Sequence, residues 1–189
     1  QLAEAAALIA AAARPILYLG GGVVHSGAAA QAVALAEKAG LPTVMTLMAL
    51  GAMPVDHPLS LGMLGMHGAR ATNLALDECD LLIAVGARFD DRATGKVAQF
   101  CPGARIIHID IDAAELDKIK TAHLGITADV GATLDALLPR VAPDPREPWR
   151  QRVAALQQQW PGTLPDTDQP RSHFGLIQTV AACLDNEAI

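Results

Sequence analysis

Short apolar runs alternate along the chain with segments in which apolar residues recur at helical spacing. The run from Leu81 to Val85 is too short for a helix and apolar on both faces, which is typical of a buried parallel strand. Apolar positions three and four residues apart predict helices that bury one face. Strands are predicted at 16–19, 42–45, 81–85, 105–112 and 124–128, and helices at 2–13, 26–39, 69–78, 113–120 and 132–141.

This alternation of strand and helix predicts an α/β protein. Parallel strands joined by helical crossovers form a doubly wound sheet with helices on both faces, a three-layer α/β/α arrangement of the Rossmann-like type. We expect about five or six parallel strands from this pattern. Ligands of such sheets bind in the crevice outside the carboxyl ends of the strands, so candidate chemistry is sought there.

A glycine triplet follows the first predicted strand. Gly20, Gly21 and Gly22 stand between that strand and the helix 26–39, which Gly40 would cap at its C-terminus. Glycines in a strand-to-helix turn let backbone N–H groups approach a phosphate closely. His25 stands where a dinucleotide fingerprint needs glycine, and the second strand lacks a terminal acid, so a standard NAD site is disfavoured. A tight turn with no ligand is the alternative.

The stretch 46–68 is the longest irregular segment, and long loops in compact domains are usually functional. Its end, 63–68, combines methionines with glycines and His67, a composition suited to lying against a flat ring. The alternatives are a hydrogen-bonded structural role for His67 and a core-filling role for the methionines.

Charged residues follow the strand 81–85 directly. Gly86 allows a sharp turn, after which Arg88, Asp90, Asp91 and Arg92 would stand at the carboxyl edge of the sheet. Two cations and two anions in one short loop could also satisfy each other in a surface salt-bridge turn. A short helical stretch to about residue 99 should follow.

Acids end the later strands. Asp110 is well placed to accept hydrogen bonds from ribose hydroxyls, although a turn contact is an equal alternative. Asp112 and Glu115 form a capping box for the predicted helix 113–120, which gives Asp112 a structural role. Asp129 ends the strand 124–128.

The composition changes at Pro143. A helix carrying Trp149, Val153, Leu156 and Trp160 on one face lies between proline-rich arms, which favours an interdomain strap over a partner-binding helix. Ser172 should cap a last helix over 174–184. We therefore predict a ligand-binding domain at 1–142, a linker at 143–171 and the first helix of a further domain at 172–189. Because the chain begins with Gln1, we expect it to come from a longer protein.

Composition excludes several classes of function. A net charge of −6 in 189 residues argues against nucleic-acid binding, and the apolar stretches are too short to span a bilayer. The three cysteines, Cys79, Cys101 and Cys183, are predicted to be buried reduced thiols, with no metal site. We expect a soluble cytoplasmic protein or a domain from an organelle matrix, with no membrane or nucleic-acid partner.

Four segments together resemble the central domain of the acetohydroxyacid synthase (acetolactate synthase) large catalytic subunit. They occur in order at 18–22 (YLGGG), 61–68 (LGMLGMHG), 86–92 (GARFDDR) and 107–111 (IHIDI), and the third is the most specific. The resemblance implies a thiamine-diphosphate enzyme whose middle domain binds FAD along the carboxyl edge of its sheet. The implied FAD contacts run from the pyrophosphate through the flavin to the ribose and adenine, and are Gly20, Gly21, Gly22, Thr46, Leu47, Leu64, Gly65, Met66, His67, Gly86, Ala87, Arg88, Asp90, Arg92, Asp110, Ile111 and Asp129.

The resemblance also implies a reaction and partners. Decarboxylated pyruvate would be joined to a second pyruvate or to 2-oxobutyrate in branched-chain amino-acid biosynthesis, with Arg92 and Met66 contacting the second substrate. The flavin would be structural. Thiamine diphosphate and Mg²⁺ would bind outside this chain, since the motif that holds them and the activating glutamate are absent here, and the isolated chain should be inactive. The implied partners are the other domains of the same polypeptide, a second large subunit in a homodimer and a regulatory small subunit.

Two other functions fit the same sequence. One is a flavin-redox relative such as a pyruvate oxidase, and the other is a non-catalytic domain that senses ADP or another nucleotide. A sirtuin-like NAD hydrolase shares the layered fold but lacks support, because its zinc cysteines are missing.

Overall fold

Six parallel strands form one sheet in the computed structural model, which describes residues 1–162, 166 and 168–184. The strands are β1 (Pro15–Leu19), β2 (Thr43–Met45), β3 (Ser60–Met63), β4 (Leu81–Val85), β5 (Arg105–Asp110) and β6 (Leu124–Thr127). Their order across the sheet is β3-β2-β1-β4-β5-β6, and every neighbouring pair is parallel. The α/β fold class predicted from the sequence is confirmed.

Helices cover both faces of this sheet. The helices of the described residues are α1 (Leu2–Ala11), α2 (Gly21–His25), α3 (Ala29–Ala39), α4 (Arg70–Glu78), α5 (Asp91–Thr94), α6 (Val130–Leu137), α7 (Glu147–Gln159) and α8 (His173–Cys183). Of these, α8 belongs to neither core and buries only Gly175. Leu17 and Leu19 of β1 point into a core shared with α1, α3 and α6. Ile16 and Tyr18 point into a second core, which α4 and α7 cover. Alternate side chains of one strand thus serve two cores, which explains why the strands are apolar throughout.

Two elements differ from the sequence prediction. The stretch 46–68 is not irregular throughout, because it contains the edge strand β3, a half-buried and glycine-containing segment paired to β2 with an irregular register. The predicted helix 113–120 is a single 3₁₀ turn at Ala113–Glu115. Asp117 adopts a φ of +59°, and its carboxylate accepts from the N–H of Ala122 (2.7 Å), so a local turn replaces the helix.

The other helix predictions are right in place but not in length. Gly40 caps α3 in the left-handed conformation, as predicted, with a φ of +58°. Residues 21–25 form the separate short helix α2, which ends before Gly27. The stretch after Arg92 is likewise divided, into α5 and a 3₁₀ turn at Val97–Gln99.

The amphipathic helix α7 packs on this chain's own second core. Trp149, Val153 and Leu156 are buried there, and the indole N–H of Trp149 donates to the carbonyl of Pro15 (3.0 Å). Before the helix, the buried guanidinium of Arg146 bonds the carboxylate of Asp144 (2.7 Å) and the carbonyl of Ile9. The segment after Pro143 is therefore attached to the sheet domain, while the predicted domain boundaries stay a prediction.

The hydroxyl of Ser172 caps α8 by accepting from the N–H of Gly175 (2.9 Å), as predicted. Parts of the predicted segments 143–171 and 172–189, namely 163–165, 167 and 185–189, lie outside the described residues. Cys79 and Cys101 are buried, whereas Cys183 is exposed on α8, which corrects the prediction for that cysteine. Across the described ranges, no helix is long and apolar enough to cross a bilayer, and no cluster of side chains suits a metal ion.

Candidate functional site: a cavity at the carboxyl edge of the sheet

A cavity of about 970 Å³ lies at the carboxyl edge of the sheet. Segments that follow β1, β2, β3, β4 and β5 all line it, because parallel strands place their carboxyl ends at one edge. It brings together most of the predicted site residues, which are Gly20, Gly21, Gly22, Thr46, Leu47, Leu64, His67, Gly86, Ala87, Arg88, Asp90, Arg92 and Asp110.

The remaining predicted residues lie outside the lining. Gly65 packs its backbone against the Arg92 carbonyl, where a Cβ atom would come within 2.2 Å of that oxygen. The side chains of Met66 and Ile111 are each 70% exposed. Asp129 caps α6 by accepting from the N–H of Ala132 (2.9 Å), which with the Ser26 hydroxyl lowers the pKa of its carboxyl. Binding by these residues stays a prediction.

The glycine triplet packs backbone against backbone. The N–H of Gly20 donates to the carbonyl of Val85 (2.9 Å), and the N–H of Gly22 donates to that of Gly86 (3.1 Å). A Cβ atom on Gly20 would lie 2.0 Å from the Gly86 oxygen, and one on Gly22 would lie 2.7 Å from the Gly86 Cα. Two of the three glycines therefore let the turns after β1 and β4 touch, whereas a Cβ on Gly21 would first meet the Met48 side chain, at 3.2 Å.

The loop after β4 contains a buried aromatic residue in a left-handed backbone conformation. Phe89 has a φ of +56° and is 1% exposed. This conformation costs an L-residue about 1–2 kcal/mol, so the surroundings must hold it. Edge-to-face contacts with Tyr18, Phe100 and His108 do so, at centroid distances of 5.7, 6.2 and 5.0 Å. Its neighbours in sequence, Arg88 and Asp90, both line the cavity.

The four charges of this loop do not pair with one another. Among the described residues, no ion pair involves Arg88, Asp90, Asp91 or Arg92. Instead the Asp90 carboxylate caps α5, accepting from the N–H groups of Arg92 and Ala93 at 3.1 Å each. The salt-bridge turn weighed from the sequence is therefore wrong. Both guanidinium groups remain exposed at the cavity for an anionic ligand group.

Carboxylates from the end of β5 and from the segment after it also line the cavity. Asp110 is 7% exposed, and its carboxylate accepts from the N–H of Asp112 (3.0 Å). Asp112 in turn accepts from the N–H of Ala114 (2.9 Å), so it has the predicted capping contact although the helix is missing. Glu115 is the third acid here, and it pairs with Lys118 at 2.7 Å. Carboxylates can accept further hydrogen bonds, which suits hydroxyl and amine donors of a ligand.

One buried hydroxyl in the lining has no partner. The Oγ1 atom of Thr46 is inaccessible and makes no hydrogen bond within the part of the chain described. An unsatisfied buried hydroxyl is unfavourable, so a ligand atom that bonds it would gain affinity. Thr46 comes directly after β2, beside the exposed side chains of Leu47 and Met48.

Sequence reasoning missed several lining residues, namely His25, Met48, Ala93, Asp112 and Glu115, whereas Met63 belongs to the loop that the sequence had indicated. His25 had a signal, since it occupies the position where the dinucleotide fingerprint has glycine. Asp112 and Glu115 were assigned to capping alone. Met48 carried no signal, because it lies within an apolar stretch whose structure the pattern leaves open.

The sequence that forms this fold matches a known family. The family described as the central domain of thiamine pyrophosphate enzymes matches residues 2–137. The chain therefore belongs to the thiamine pyrophosphate enzymes, whose central domain it contains.

Its relatives are acetolactate synthases. The chain is 60% identical over 189 residues to the acetolactate synthase isozyme 1 large subunit of Escherichia coli (strain K12), covering 100% of this chain and 33% of that protein. It is 47% identical over 160 residues to a probable acetolactate synthase large subunit of Methanocaldococcus jannaschii, covering 83% of this chain and 27% of that protein. An acetolactate synthase of Mycobacterium bovis is 53% identical over 138 residues, 73% of this chain and 22% of the relative. The chain thus spans a third or less of these relatives, and the resemblance drawn from its sequence is confirmed.

Proposed function

We propose that this chain is the central domain of an acetolactate synthase large subunit and that its cavity binds FAD. The observation that carries the proposal is the meeting of three segments, the glycine triplet, the 63–67 loop and the 86–92 loop, in one groove. The names of the relatives support the enzyme, and the groove supports the cofactor.

The cavity suits a dinucleotide in size and in chemistry. Its volume of about 970 Å³ is at the upper end of the range of about 300–1,000 Å³ for ligand sites. Glycine backbone and two arginines suit a pyrophosphate, and the apolar side chains of Leu47, Met48 and Leu64 suit a flat ring. The Thr46 hydroxyl has no hydrogen-bond partner among the described residues and could bond a polar ligand atom. The Asp110 carboxylate can accept hydrogen bonds from ribose hydroxyls.

The residue roles in this proposal follow the position of each segment. Gly20 to Gly22 would meet the pyrophosphate, Thr46 and Leu47 the middle of the cofactor, and the segment 64–67 the flavin. Gly86, Ala87, Arg88, Asp90 and Arg92 would continue the site toward Asp110, Ile111 and Asp129. Arg92 and Met66 would also contact the second substrate, since a guanidinium matches a carboxylate with two parallel hydrogen bonds.

The chemistry of the reaction would come from thiamine diphosphate and Mg²⁺ held by other parts of the enzyme. The residues of this chain would hold FAD without redox turnover and orient the second 2-ketoacid. A homodimer of large subunits and a regulatory small subunit are further parts of the proposal, the latter supported by the words "large subunit" in the relatives' names. We also propose a cytoplasmic location, which the free buried thiols of Cys79 and Cys101 support.

A chimeric enzyme tests this function. This chain replaces the matching segment of the Escherichia coli isozyme 1 large subunit, and the purified chimera is incubated with FAD and separated from the excess. We expect a bound-flavin absorption spectrum and, with pyruvate, thiamine diphosphate and magnesium, acetolactate. A folded chimera that keeps no FAD, while the parent treated in parallel does, would overturn the cofactor assignment.

The 189-residue chain alone serves as the control for activity. We expect it to bind FAD weakly and to make no acetolactate under the same conditions. Acetolactate formation by the isolated chain would contradict the assignment of the thiamine machinery to other domains. Bleaching of the chimera's flavin by pyruvate at the rate of turnover would favour a flavin-redox enzyme instead.

A further inference from the structure

A buried histidine lies directly behind the loop that carries the cavity's arginines. His108 is fully buried in the middle of β5, at the position paired with Ala84 of β4. Its side chain lies in the second core, together with Tyr18 and Phe89, and does not line the cavity. A ligand in the cavity would therefore not touch it.

His108 makes two contacts with the segment 87–89. Its Nε2 atom lies 2.9 Å from the carbonyl oxygen of Ala87, and its ring packs edge-to-face on Phe89 at a centroid distance of 5.0 Å. A carbonyl only accepts hydrogen bonds, so the ring nitrogen donates and the proton is on Nε2. The other nitrogen, Nδ1, is buried and has no partner within the described residues.

An imidazole in an apolar core is unfavourable unless its hydrogen bonds are satisfied, and here only one nitrogen is satisfied. An apolar side chain of similar size would fill the same space without this cost. What it would lack is the donor to the Ala87 carbonyl. The hydrogen bond fixes the residue before Arg88, and the ring contact fixes the residue after it.

The residues that His108 contacts determine where the charged side chains of the 88–92 loop lie. Phe89 has a φ of +56°, which turns the chain so that Arg88 and Asp90 on either side of it line the cavity while the Phe89 ring enters the core. Asp90 then caps α5, which carries Arg92. The buried contacts of His108 with Ala87 and Phe89 therefore influence the positions of both Arg88 and Arg92.

We propose that His108 is a positioning residue, which holds the Ala87 carbonyl and the Phe89 ring so that Arg88 and Arg92 face the ligand. The proposal deepens, and rests on, the proposed FAD site. It assigns to His108 an effect on ligand affinity that acts through the 87–92 loop.

Three substitutions separate the donor from the volume of the ring. His108→Gln keeps an N–H near the place of Nε2, His108→Asn places its amide at the level of Nδ1, and His108→Leu has no donor. We expect the Kd for FAD, measured by calorimetry on the 189-residue chain, to rise at least about tenfold in the Leu and Asn variants and less than about threefold in the Gln variant. If the Leu variant does not fold, the comparison of Gln with Asn decides.

Ile107→Ala is the matched control. Ile107 is equally buried in the same strand but points into the other core, so its truncation should lower the melting temperature without changing the Kd. Weaker FAD binding in this control to the same extent as in His108→Leu would overturn the proposal, because a general loss of stability would then explain both.

A second readout needs no ligand. The amide NMR resonances of residues 87–90 should shift most in His108→Asn and His108→Leu, less in His108→Gln, which loses the ring but keeps the donor, and least in Ile107→Ala. Failure of the native chain to bind FAD would refute the proposed function, and these shifts would still decide the role of His108. Shifts in the Leu and Asn variants that are no larger than those in the Gln variant would refute the positioning role.

Discussion

At the residue scale, Gly86 combines two demands that no other residue type meets. Its φ is +58°, and a Cβ atom there would lie 2.6 Å from the Cα of Gly22. Gly27 has a similar φ of +65° but open space around the position of a Cβ atom. A comparison of substitutions at the two glycines therefore distinguishes the effect of backbone conformation on stability from the effect of crowding.

Substitution of each glycine by alanine should show this difference. Gly27→Ala should lower the free energy of unfolding by about 1 kcal/mol, the strain of a left-handed alanine. Gly86→Ala should lose roughly 1–3 kcal/mol more, because the turns after β1 and β4 must also separate. Urea denaturation monitored by circular dichroism measures both, and equal losses would show that the close approach is unimportant.

His108 makes stability depend on pH. Burial is the largest effect on the pKa of His108 and lowers it below 6.5, against the opposing effects of the Ala87 hydrogen bond and of Asp110, Asp117 and Glu115. As the pH falls, His108 therefore becomes protonated at a higher pH in the unfolded chain than in the folded chain. The stabilisation is complete above about pH 6.5 and is lost as the pH falls from there through the folded-state pKa.

A comparison of two pH values isolates this effect. Between about pH 7.5 and about pH 5.5 the carboxylates stay ionised in both states, so histidines dominate the change in the free energy of unfolding. We expect the free energy of unfolding to be lower at the acidic pH value. This decrease should be smaller in His108→Gln than in the native chain. An identical pH profile for the variant would mean that His108 is not held neutral by the fold.

Residue identities predicted the site better than they predicted its internal contacts. Arg88 and Asp90 could be placed at the cavity from their position after a buried strand. The left-handed Phe89 between them could not, because three rings from distant parts of the chain stabilise it. The same holds for Asp112, whose capping motif was recognised while its place in the lining was not.

At the scale of elements, α7 is part of the sheet domain's core. Leu156 is 2% exposed and packs in the second core, whereas Gln158 on the same helix is exposed. Leu156→Ala should lower the free energy of unfolding by about 2–5 kcal/mol, and Gln158→Ala should stay within about 0.5 kcal/mol of the native value.

Urea titration of the native chain and both variants measures these changes. Similar, small losses in the two variants would mean that α7 is attached only loosely. In that case the sheet domain would be stable without the segment 143–171.

Elements with one dominant pattern were predictable, and elements with mixed patterns were not. Four buried strands follow from apolar runs, and the edge strand β6 follows from the alternation of Leu124 and Ile126, which are buried, with less buried residues. The edge strand β3 does not follow, because only Leu61 of its four residues is buried and no alternation is visible. The predicted helix 113–120 has a capping box at its start, but the chain instead forms a turn that the Asp117 carboxylate closes.

At the scale of the whole molecule, the order of strands brings the site together. Alternation of strand and helix predicts one sheet with one carboxyl edge, and this alone places the glycine triplet near the 86–92 loop. The sequence left open whether the arginines of that loop pair with its own acids. They do not, because the Asp90 carboxylate accepts from backbone N–H groups instead, and both arginines line the cavity together with Asp90, Asp110, Asp112 and Glu115.

The central claim is that this cavity binds FAD, and calorimetric titration of the 189-residue chain with FAD and with ADP tests it most directly. We expect weak, saturable, one-to-one binding of FAD that is tighter than binding of ADP, because the flavin half gains contacts. Gly21→Val, which adds a side chain at the cavity wall, should abolish binding of FAD while the fold is kept. Equal affinities for FAD and ADP would indicate a nucleotide-sensing domain instead, and absence of saturable FAD binding, or binding that Gly21→Val leaves unchanged, would contradict the account.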